Sequence, residues 1–313
     1  MAINSINFIV FVAIVCILYF MIPKRFKWIV LLIASYIYYW LCSKILIIYM
    51  LITTISIYVL TLRLGDIDSE NKELCKKEQS KEIKKQLKHK AKIRKKWLVF
   101  IAIVINFGIL ISLKYCNFIF GNLNYIFNLI KIPIQVPFRQ IILPLGISYY
   151  TLQSISYVVD VYRGKYLPDK NFGKIALFVS FFPQMVEGPI GRYDELADQL
   201  YEPHKFDYEN VKFGIQLMLW GYFKKMVVAD RAALYVNEVF GHYLNYTGIP
   251  LFFAAMLYTL QIYAEFSGCI DIVRGTAQIL GINMAENFKR PFFSKSVQEF
   301  WRRWHITLGT WFK

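Results

Sequence analysis

Apolar residues form long runs along this chain, and the charged residues are gathered between those runs. Four runs, over residues 8–22, 28–41, 45–62 and 97–113, are long enough to cross or nearly cross a hydrocarbon core about 30 Å thick. The first run precedes its basic residues, which is the reverse of the order in a secretory signal peptide. We therefore expect each run to be a membrane helix, and the first to be retained.

The later part of the pattern differs, because its apolar runs are short or interrupted. The run over 118–130 is followed by Pro133 and Pro137, and the run over 175–186 contains Pro183. Apolar segments of this kind are typical of re-entrant, tilted or protein-buried helices. The chain is thus predicted to be an all-α polytopic integral membrane protein with three parts: N-terminal transmembrane helices over 1–62, a basic cytoplasmic linker over 63–96, and a helical core over 97–313.

The net charge of +16 indicates the membrane topology of the chain rather than a nucleic-acid partner. Lys and Arg number 37 against 21 Asp and Glu, and residues 63–96 hold thirteen of the former and six of the latter. Basic loops remain on the cytoplasmic side of a membrane, so segments 24–27 and 63–96 are predicted to be cytoplasmic, and no nucleic-acid partner is needed. For 63–96, a solvated, partly helical linker is the simpler interpretation, and a site for anionic lipid or a partner protein is the alternative.

Motifs that carry chemistry are scarce. The five cysteines lie far apart, without CxxC or Cys/His spacing, and are predicted to be buried thiols rather than disulfides or metal ligands. The sequence contains no Gly-rich phosphate loop, Ser/His/Asp arrangement or metal motif. We therefore expect no metal site, and a mechanism that depends on histidine, on buried polar groups and on a donor supplied from outside the chain.

Two apolar segments carry polar residues at helical spacing. Charged groups at membrane depth are costly unless they are paired or hydrated, so such residues are functional candidates. One predicted helix face holds Tyr149, Gln153, Ser156 and Asp160; another holds Gln261, Glu265, Gly268 and Asp271, with Arg274 placed to neutralise Asp271. Packing between helices and the lining of a substrate path both explain these faces, and the sequence leaves both open.

A further candidate lies in FFPQMVEGPIGRYDEL, where Glu187 and Arg192 flank a Gly-Pro turn. Gly188 and Gly191 permit backbone geometries that other residues resist. Non-helical backbone near membrane depth must be buried in protein or line water. The segment is predicted to be a loop shaped around a substrate path, with a simple Glu187–Arg192 ion pair as the alternative.

The chain ends on EFWRRWHITLGTWFK, which combines aromatics and arginines with one histidine. As one helix, this segment has an apolar face with Val297, Trp301, Trp304, Leu308 and Trp311 beside a polar face with Gln298, Arg302, His305 and Gly309. Gly309 leaves open space beside the imidazole. An interfacial amphipathic helix explains the tryptophans and arginines but not the histidine, so catalytic and structural roles both stay open for His305. The other histidines, His89, His204 and His242, are predicted to lie on the surface or in loops.

Six blocks together resemble the membrane-bound O-acyltransferases of bacteria, in particular the alginate O-acetyltransferase branch. In order they are LPLGISYYTLQSISYVVDVYRG, FFPQMVEGPIGRYDELADQL, LMLWGYFKKMVVADR, QIYAEFSGCIDIVRGTAQILGI, AENFKRPFF and VQEFWRRWHITLGTWF. The resemblance implies helices arranged around a funnel through a locally thinned membrane, in which an acyl group from a cytoplasmic donor passes towards an acceptor on the outer face. The D-alanyl transferases of teichoic-acid modification resemble the chain more distantly.

The last block is similar to the part of the family that carries one of its two functionally important histidines, and His305 occupies that position. The resemblance implies that the second histidine follows some tens of residues later, so a chain ending at Lys313 is expected to be incomplete at its C-terminus. Helix spacing adds that Arg302 or Arg303 could hold anionic groups and that Glu299 could pair with either arginine. Trp304 joins them as a candidate lining residue.

These observations predict an O-acyltransferase that transfers an acyl group, acetyl above all, to a hydroxyl of a cell-surface or extracellular polysaccharide. An imidazole with a pKa near neutrality suits the removal of the acceptor's proton. We expect no bound cofactor, with acetyl-CoA or another acyl thioester, including an acyl carrier protein, as donor. Membrane lipid, the polysaccharide acceptor and an extracytoplasmic acyltransferase are the expected partners, at the inner membrane. The alternatives are D-alanyl transfer to teichoic acid and a non-enzymatic transporter of a lipid-linked glycan or acyl carrier.

Overall fold

Residues 1–138 and 142–313, which this computed structural model describes, form fourteen α-helices. In chain order these are α1 (Ile6–Met21), α2 (Lys27–Ser43), α3 (Ile47–Lys77), α4 (Lys81–Lys114), α5 (Cys116–Leu129), α6 (Ile147–Tyr162), α7 (Phe172–Ser180), α8 (Phe182–Glu187), α9 (Tyr193–Tyr201), α10 (Tyr208–Tyr222), α11 (Asp230–Gly241), α12 (Ile249–Ile279), α13 (Val297–Arg303) and α14 (Ile306–Trp311). A π-helical segment, Phe223–Ala229, joins α10 to α11 without a break. Within the described ranges, strand-like pairing is limited to one isolated antiparallel bridge, between Phe288 and Trp304.

The fold class agrees with the prediction from hydropathy. The protein is an all-α membrane protein, and three stretches are long and apolar enough to cross a bilayer: Lys24–Lys77, Lys81–Lys114 and Ile249–Ile279. The apolar run at 175–186 is interrupted at Phe181, where α7 gives way to α8. Packing divides the chain into two compact units, one made of residues 1–42 and 180–313 and the other of residues 43–179. The ranges 1–62, 63–96 and 97–313 were predicted from hydropathy and charge. They do not correspond to units of packing.

In the unit of residues 43–179, α3 and α4 form an antiparallel pair whose basic ends are helical almost throughout. The segment predicted as a linker over 63–96 consists of the end of α3 and the start of α4, joined by a short turn at residues 78–80. Its Lys, Arg, Glu and Gln residues are good helix formers, so nothing in the sequence ends the helices at the membrane surface. The ammonium group of Lys95 donates to the carboxylate of Asp68 at 2.9 Å, which joins the two helix ends.

In the unit of residues 1–42 and 180–313, α12 packs along the continuous helix made of α10, the π-helical segment and α11. Glycines on both helices allow the backbones to approach each other. A Cβ atom on Gly221 would lie 2.6 Å from the carbonyl oxygen of Gly268, and one on Gly214 would lie 2.7 Å from that of Gly275. Small residues at such crossings are the usual device for close packing of membrane helices.

Candidate active site

The terminal segment turns sharply at His305. α13 ends at Arg303, Trp304 is extended (φ −103°, ψ 127°), and His305 has left-handed backbone angles (φ 46°, ψ 55°) before α14 begins. The prediction of one helix through this segment, with two faces drawn from Val297 to Trp311, is therefore wrong beyond Arg303. Gly309 still lies one turn after His305, because its N–H donates to the His305 carbonyl oxygen at 3.1 Å.

Backbone pairing with an earlier loop explains the break. The N–H of Lys289 donates to the carbonyl oxygen of Arg303 at 2.9 Å, and the N–H of Ile306 donates to that of Asn287 at 3.0 Å. These bonds flank the bridge between Phe288 and Trp304 and replace helical bonds at this point. A left-handed conformation costs a residue other than glycine about 1–2 kcal/mol. The surrounding sequence, WRRWHIT, contains no helix breaker, so it gives no local signal of the turn.

Aromatic rings surround this turn. Trp304 stacks on Phe300 with ring centroids 5.5 Å apart and meets Phe288 edge-on at 5.0 Å. The His305 ring lies edge-on to Phe266 of α12, with centroids 4.9 Å apart. Nδ1 of His305 is buried and has no hydrogen-bond partner within the described ranges. Burial lowers the pKa of His305, so its imidazole is neutral near neutral pH and can accept a proton.

Further charges come from α12 and from the π-helical segment that continues α10. Lys224 donates to the Asp271 carboxylate at 2.7 Å and to the Ser267 hydroxyl at 3.0 Å. Arg274 lies 3.8 Å from Asp271, as its spacing predicted, but contacts Glu286 more closely, at 3.2 Å. Lys224 is thus the main partner of Asp271. Sequence reasoning missed it, although two lysines inside the apolar stretch LMLWGYFKKMVV were the signal that could have revealed it.

A cavity of about 640 Å³ opens beside this ion pair. Its walls carry five cations against two carboxylates: Lys224, Arg274, Lys289, Arg290 and Arg303 against Asp271 and Glu286. Aromatic rings from Trp220, Tyr263 and Phe288 form another part of the lining. Arg303 connects the cavity to the turn that carries His305, since it is the last residue of α13. The cavity therefore combines a positive charge excess with aromatic surface.

A second charged group lies on a neighbouring face of α12. Lys225 donates to Glu265 at 2.9 Å and to Asp230 at 2.7 Å. Glu187, at the end of α8, lies close enough to Cys269 of α12 for their side chains to interact. Lys225 belongs to the π-helical segment, and such segments occur frequently at functional sites. Glu265 and Asp271 lie on α12, but they do not act as one polar face, because Glu265 pairs with Lys225 and Asp271 pairs with Lys224.

The loop between α8 and α9 differs from its prediction in one respect. Gly188 and Gly191 do not have left-handed backbone angles. They are required by space, because a Cβ atom on Gly188 would lie 2.5 Å from Cα of Gln184, and one on Gly191 would lie 2.6 Å from Nε2 of Gln184. No ion pair joins Glu187 to Arg192 in the part of the chain that the structure describes, and Arg192 is exposed.

The remaining candidates are spread more widely. Gln153 lies in the other unit, where its amide donates to the carbonyl oxygen of Phe178 at 2.7 Å, a bond that holds α6 to α7. Gln261 lies on α12 with its Oε1 buried and unbonded among the described residues. Glu299 pairs with Arg303, the i+4 alternative, while Arg302 is exposed. Of the predicted candidates, Asp271 and Arg303 therefore line the cavity. Trp304 and His305 follow Arg303 in the sequence and form the turn beside the cavity.

The other three histidines lie on the surface or in a loop, as the sequence predicted. His204 belongs to a loop, where its ring bonds the carbonyl oxygen of Gln199 at 2.7 Å, and His242 is exposed beside Glu238. His89 is exposed on α4. Each is separate from the cavity.

Comparison with known proteins gives matches in agreement with this architecture. The family model described as MBOAT, membrane-bound O-acyltransferase family, matches residues 167–313. The probable alginate O-acetylase of Pseudomonas aeruginosa is 33% identical over 302 residues, which cover 95% of this chain and 52% of that protein. The peptidoglycan O-acetyltransferase of Helicobacter pylori is 31% identical over 69% of the chain and 45% of its own length. The teichoic acid D-alanyltransferase of Bacillus subtilis is 28% identical over 54% of the chain and 43% of its length. The chain spans about half the length of these relatives.

Proposed function

The chain belongs to the membrane-bound O-acyltransferase family, and on that premise we propose that it takes part in the transfer of an acyl group from a cytoplasmic thioester to a polysaccharide hydroxyl. The acyl group is acetyl in this proposal. The observation that carries it is the cationic cavity of about 640 Å³, whose wall continues through Arg303 into the turn of His305.

The cavity lies towards the cytoplasmic end of α12 in this proposal. Basic loops stay in the cytoplasm, which places the turn at Lys24–Phe26 and the adjoining Lys27 there. The ammonium group of Lys27 donates to the carbonyl oxygen of His204 at 2.6 Å. The His204 ring lies against Gly281, where a Cβ atom would come within 2.9 Å of it, and Gly281 follows the C-cap residue of α12, Leu280. The cavity residues Asp271 and Arg274 are in the half of α12 nearest that end.

The cavity chemistry suits a donor that carries phosphate groups. Arginine and lysine bind phosphate through charge-assisted hydrogen bonds, and aromatic walls accept the flat base of a nucleotide. The volume lies within the range of about 300–1,000 Å³ that is typical of small-molecule sites. Acetyl-CoA combines phosphates, a base and a thioester, and is therefore the donor that we propose.

The reaction forms a bond from the acceptor oxygen to the acyl carbon and breaks the bond from that carbon to the thioester sulfur. The hydroxyl proton must leave during the attack, and the sulfur leaves as a thiolate or, after protonation, as a thiol. His305 is neutral because burial lowers its pKa, so it can accept or relay that proton. The family resemblance implies a second histidine as the primary base, with His305 in the positioning or relaying role.

The acceptor and the partners are further parts of the proposal. The relatives are named for alginate, peptidoglycan and teichoic acid, all of which are polymers of the cell envelope. We propose a polysaccharide acceptor outside the inner membrane, reached directly or through an extracytoplasmic acyltransferase. Membrane lipid surrounds the apolar helices.

The test replaces His305 with Ala in the chromosomal gene, which leaves any continuation of the reading frame beyond Lys313 in place. His242→Ala is the matched control, because His242 is an exposed histidine away from the cavity. Ester-linked acetate on purified surface glycans is measured after mild alkaline release. The proposal predicts a loss of about a hundredfold or more for His305→Ala, within the range of a proton-transfer residue, and no loss for His242→Ala. Normal acetylation in the His305→Ala strain contradicts it.

The same hydrolysate separates the alternatives. Release of D-alanine in place of acetate, lost in the His305→Ala strain, indicates D-alanyl transfer, the function named for the more distant relative. Loss of the glycan itself from the surface, with unchanged esters per residue of remaining glycan, indicates transport.

A further inference from the structure

A buried polar network lies directly behind the turn of His305. The hydroxyl of Thr307 donates to Oδ1 of Asn287 at 2.6 Å, and the N–H of Thr307 donates to the same oxygen at 3.0 Å. The hydroxyl oxygen of Thr307 also accepts the N–H of Ile190 at 3.1 Å. Asn287 and Thr307 are 1% and 7% exposed, so these bonds are shielded from water.

The network joins three segments that are distant in the sequence. Ile190 belongs to the loop after α8, Asn287 to the loop after α12, and Thr307 to the first turn of α14. The backbone of Asn287 takes part as well, because its carbonyl oxygen accepts the N–H of Ile306 at 3.0 Å. One asparagine thus receives the two backbone N–H groups that immediately follow His305.

The His305 ring has no comparable support of its own. Catalytic imidazoles are commonly oriented by a hydrogen bond to the ring nitrogen that does not react. Nδ1 of His305 has no such bond among residues 1–138 and 142–313, and the recorded ring contact is the edge of Phe266. The direction of the ring must therefore be set largely through the backbone, which has a left-handed conformation that is uncommon for residues other than glycine.

We propose that Thr307 and Asn287 are positioning residues, which orient His305 by holding its backbone in the left-handed conformation. The inference rests on the proposed function only for its consequence in catalysis; the structural part stands independently. Thr307 links the turn to the loop at Ile190, and Asn287 receives both N–H groups that follow the histidine. Without the network, the turn can relax towards ordinary helical angles and carry the ring away from Phe266.

The test compares two substitutions of nearly equal size in the full-length protein. Thr307→Val keeps the shape and removes the hydroxyl, and Thr307→Ser keeps the hydroxyl. The purified variants are treated with diethylpyrocarbonate, and the modification rate of each histidine is measured by mass spectrometry of its peptide. We expect the His305 rate to rise about tenfold in Thr307→Val, which loses both hydrogen bonds of the hydroxyl, and to stay near wild type in Thr307→Ser. His89, His204 and His242 are internal references that should not change.

Catalysis provides the second readout. A displaced proton-relay residue lowers kcat and leaves KM unchanged, whereas general damage to the fold affects both and lowers the melting temperature. We expect Thr307→Val to reduce kcat and Thr307→Ser to restore it. An unchanged His305 modification rate in Thr307→Val overturns the proposal, and so does a Thr307→Ser protein that behaves like Thr307→Val.

Hydrogen exchange in the unmodified protein keeps the proposal testable if Thr307→Val does not accumulate. The N–H groups of Ile190, Ile306 and Thr307 should exchange as slowly as those in the buried part of α12. Fast exchange at these three positions, beside a protected α12, overturns the proposal. Failure of the proposed function gives a different result. In that case the His305→Ala protein would be active, while the His305 modification rates of the Thr307 variants and the hydrogen exchange of the unmodified protein would still be as expected.

Discussion

Two antiparallel helix pairs in this protein carry clusters of lysine, and they use them differently. In the α3–α4 pair, the basic ends extend as a hairpin, and five lysines at helical spacing form one face of α4: Lys81, Lys85, Lys88, Lys92 and Lys96. These five side chains are exposed. In the pair formed by α10 and α12, Lys224 and Lys225 are only 12% and 15% exposed, and both contact carboxylates within 3 Å.

The comparison shows that the environment of a lysine matters more than its charge. Exposed lysines are informative about membrane topology, whereas lysines shielded from water and paired with carboxylates mark the candidate site. The exposed hairpin lysines agree with the rule that basic segments stay in the cytoplasm, and hydration lowers the energy of each charge. Charges in the α10–α12 pair are largely removed from water, so each needs a partner. Lys224 and its partner Asp271 also line the cavity, which is why the candidate site lies on this pair.

The largest expected effect comes from breaking a buried ion pair in the α10–α12 pair. Asp271→Leu leaves the Lys224 ammonium buried beside Arg274 without its carboxylate. We expect the free energy of unfolding to fall by about 3–5 kcal/mol. The matched control is Glu70→Leu in the hairpin, where the Arg94–Glu70 pair is 63% and 59% exposed and a loss of at most about 1 kcal/mol is expected.

Thermal unfolding in detergent measures both variants of this first comparison. The double variant Asp271→Leu, Lys224→Met should recover much of the loss, because apolar side chains can replace a buried ion pair. Equal destabilisation by Asp271→Leu and Glu70→Leu would show that the two helix pairs do not differ in this respect.

The next effect concerns the close approach of the helices. A Cβ atom on Gly268 would lie 2.9 Å from the carbonyl oxygen of Gly221, whereas one on Gly108 of α4 would meet nothing within 4 Å. Gly268→Ala should therefore destabilise the protein by about 1–3 kcal/mol through overpacking. Gly108→Ala should have no cost, because alanine favours helix more than glycine does. Melting temperatures of the two variants test this, and equal values would argue against tight packing between α10 and α12.

The proposed donor site predicts a smaller effect on binding. Arg290→Gln removes one cation from the cavity wall and should weaken coenzyme A binding about tenfold, or about 1.4 kcal/mol. Arg192→Gln is the control, because Arg192 is exposed and does not line the cavity. Isothermal titration with coenzyme A measures both affinities. Equal affinity of the Arg290→Gln and wild-type proteins for coenzyme A would show that the cavity does not bind the donor.

The pH dependence gives the smallest expected effect. Because burial lowers the pKa of His305, its neutral form should persist below the ordinary histidine pKa of about 6.5. The acid limb of the kcat/KM profile should therefore lie below that value. The native state also binds this proton more weakly than the unfolded state, so His305 should reduce stability as pH falls from about 6.5 towards its lowered pKa. An acid limb above the ordinary value would contradict this placement of the ring.

Hydropathy predicted the helices well because the membrane imposes lengths that the sequence must satisfy locally. The runs at 8–22 and 28–41 became α1 and α2, and Glu265 and Asp271 lie on one helix as their spacing required. The hairpin was only partly foreseen, since good helix formers alone do not show whether a helix continues into water.

The turn at His305 could not be predicted from its neighbours. The turn is caused by backbone hydrogen bonds to Asn287 and Lys289, which lie in the loop before α13. Helical spacing relates residues within one helix, so it does not predict these contacts. The same limit applies to Lys224, whose partner Asp271 is 47 residues away. The family blocks indicated which segments matter, and the structure showed which of their residues touch.

Oriented membrane vesicles show from which side of the membrane the acyl donor is used, which we propose to be the cytoplasmic side. Inside-out and right-side-out vesicles are prepared from wild-type and His305→Ala cells that carry the gene at full length, and acetyl-CoA with a labelled acetyl group is added outside. The proposal predicts labelled glycan ester in wild-type inside-out vesicles only, where the donor reaches the cationic cavity. Equal labelling in sealed right-side-out vesicles, or undiminished labelling in the His305→Ala vesicles, would contradict it.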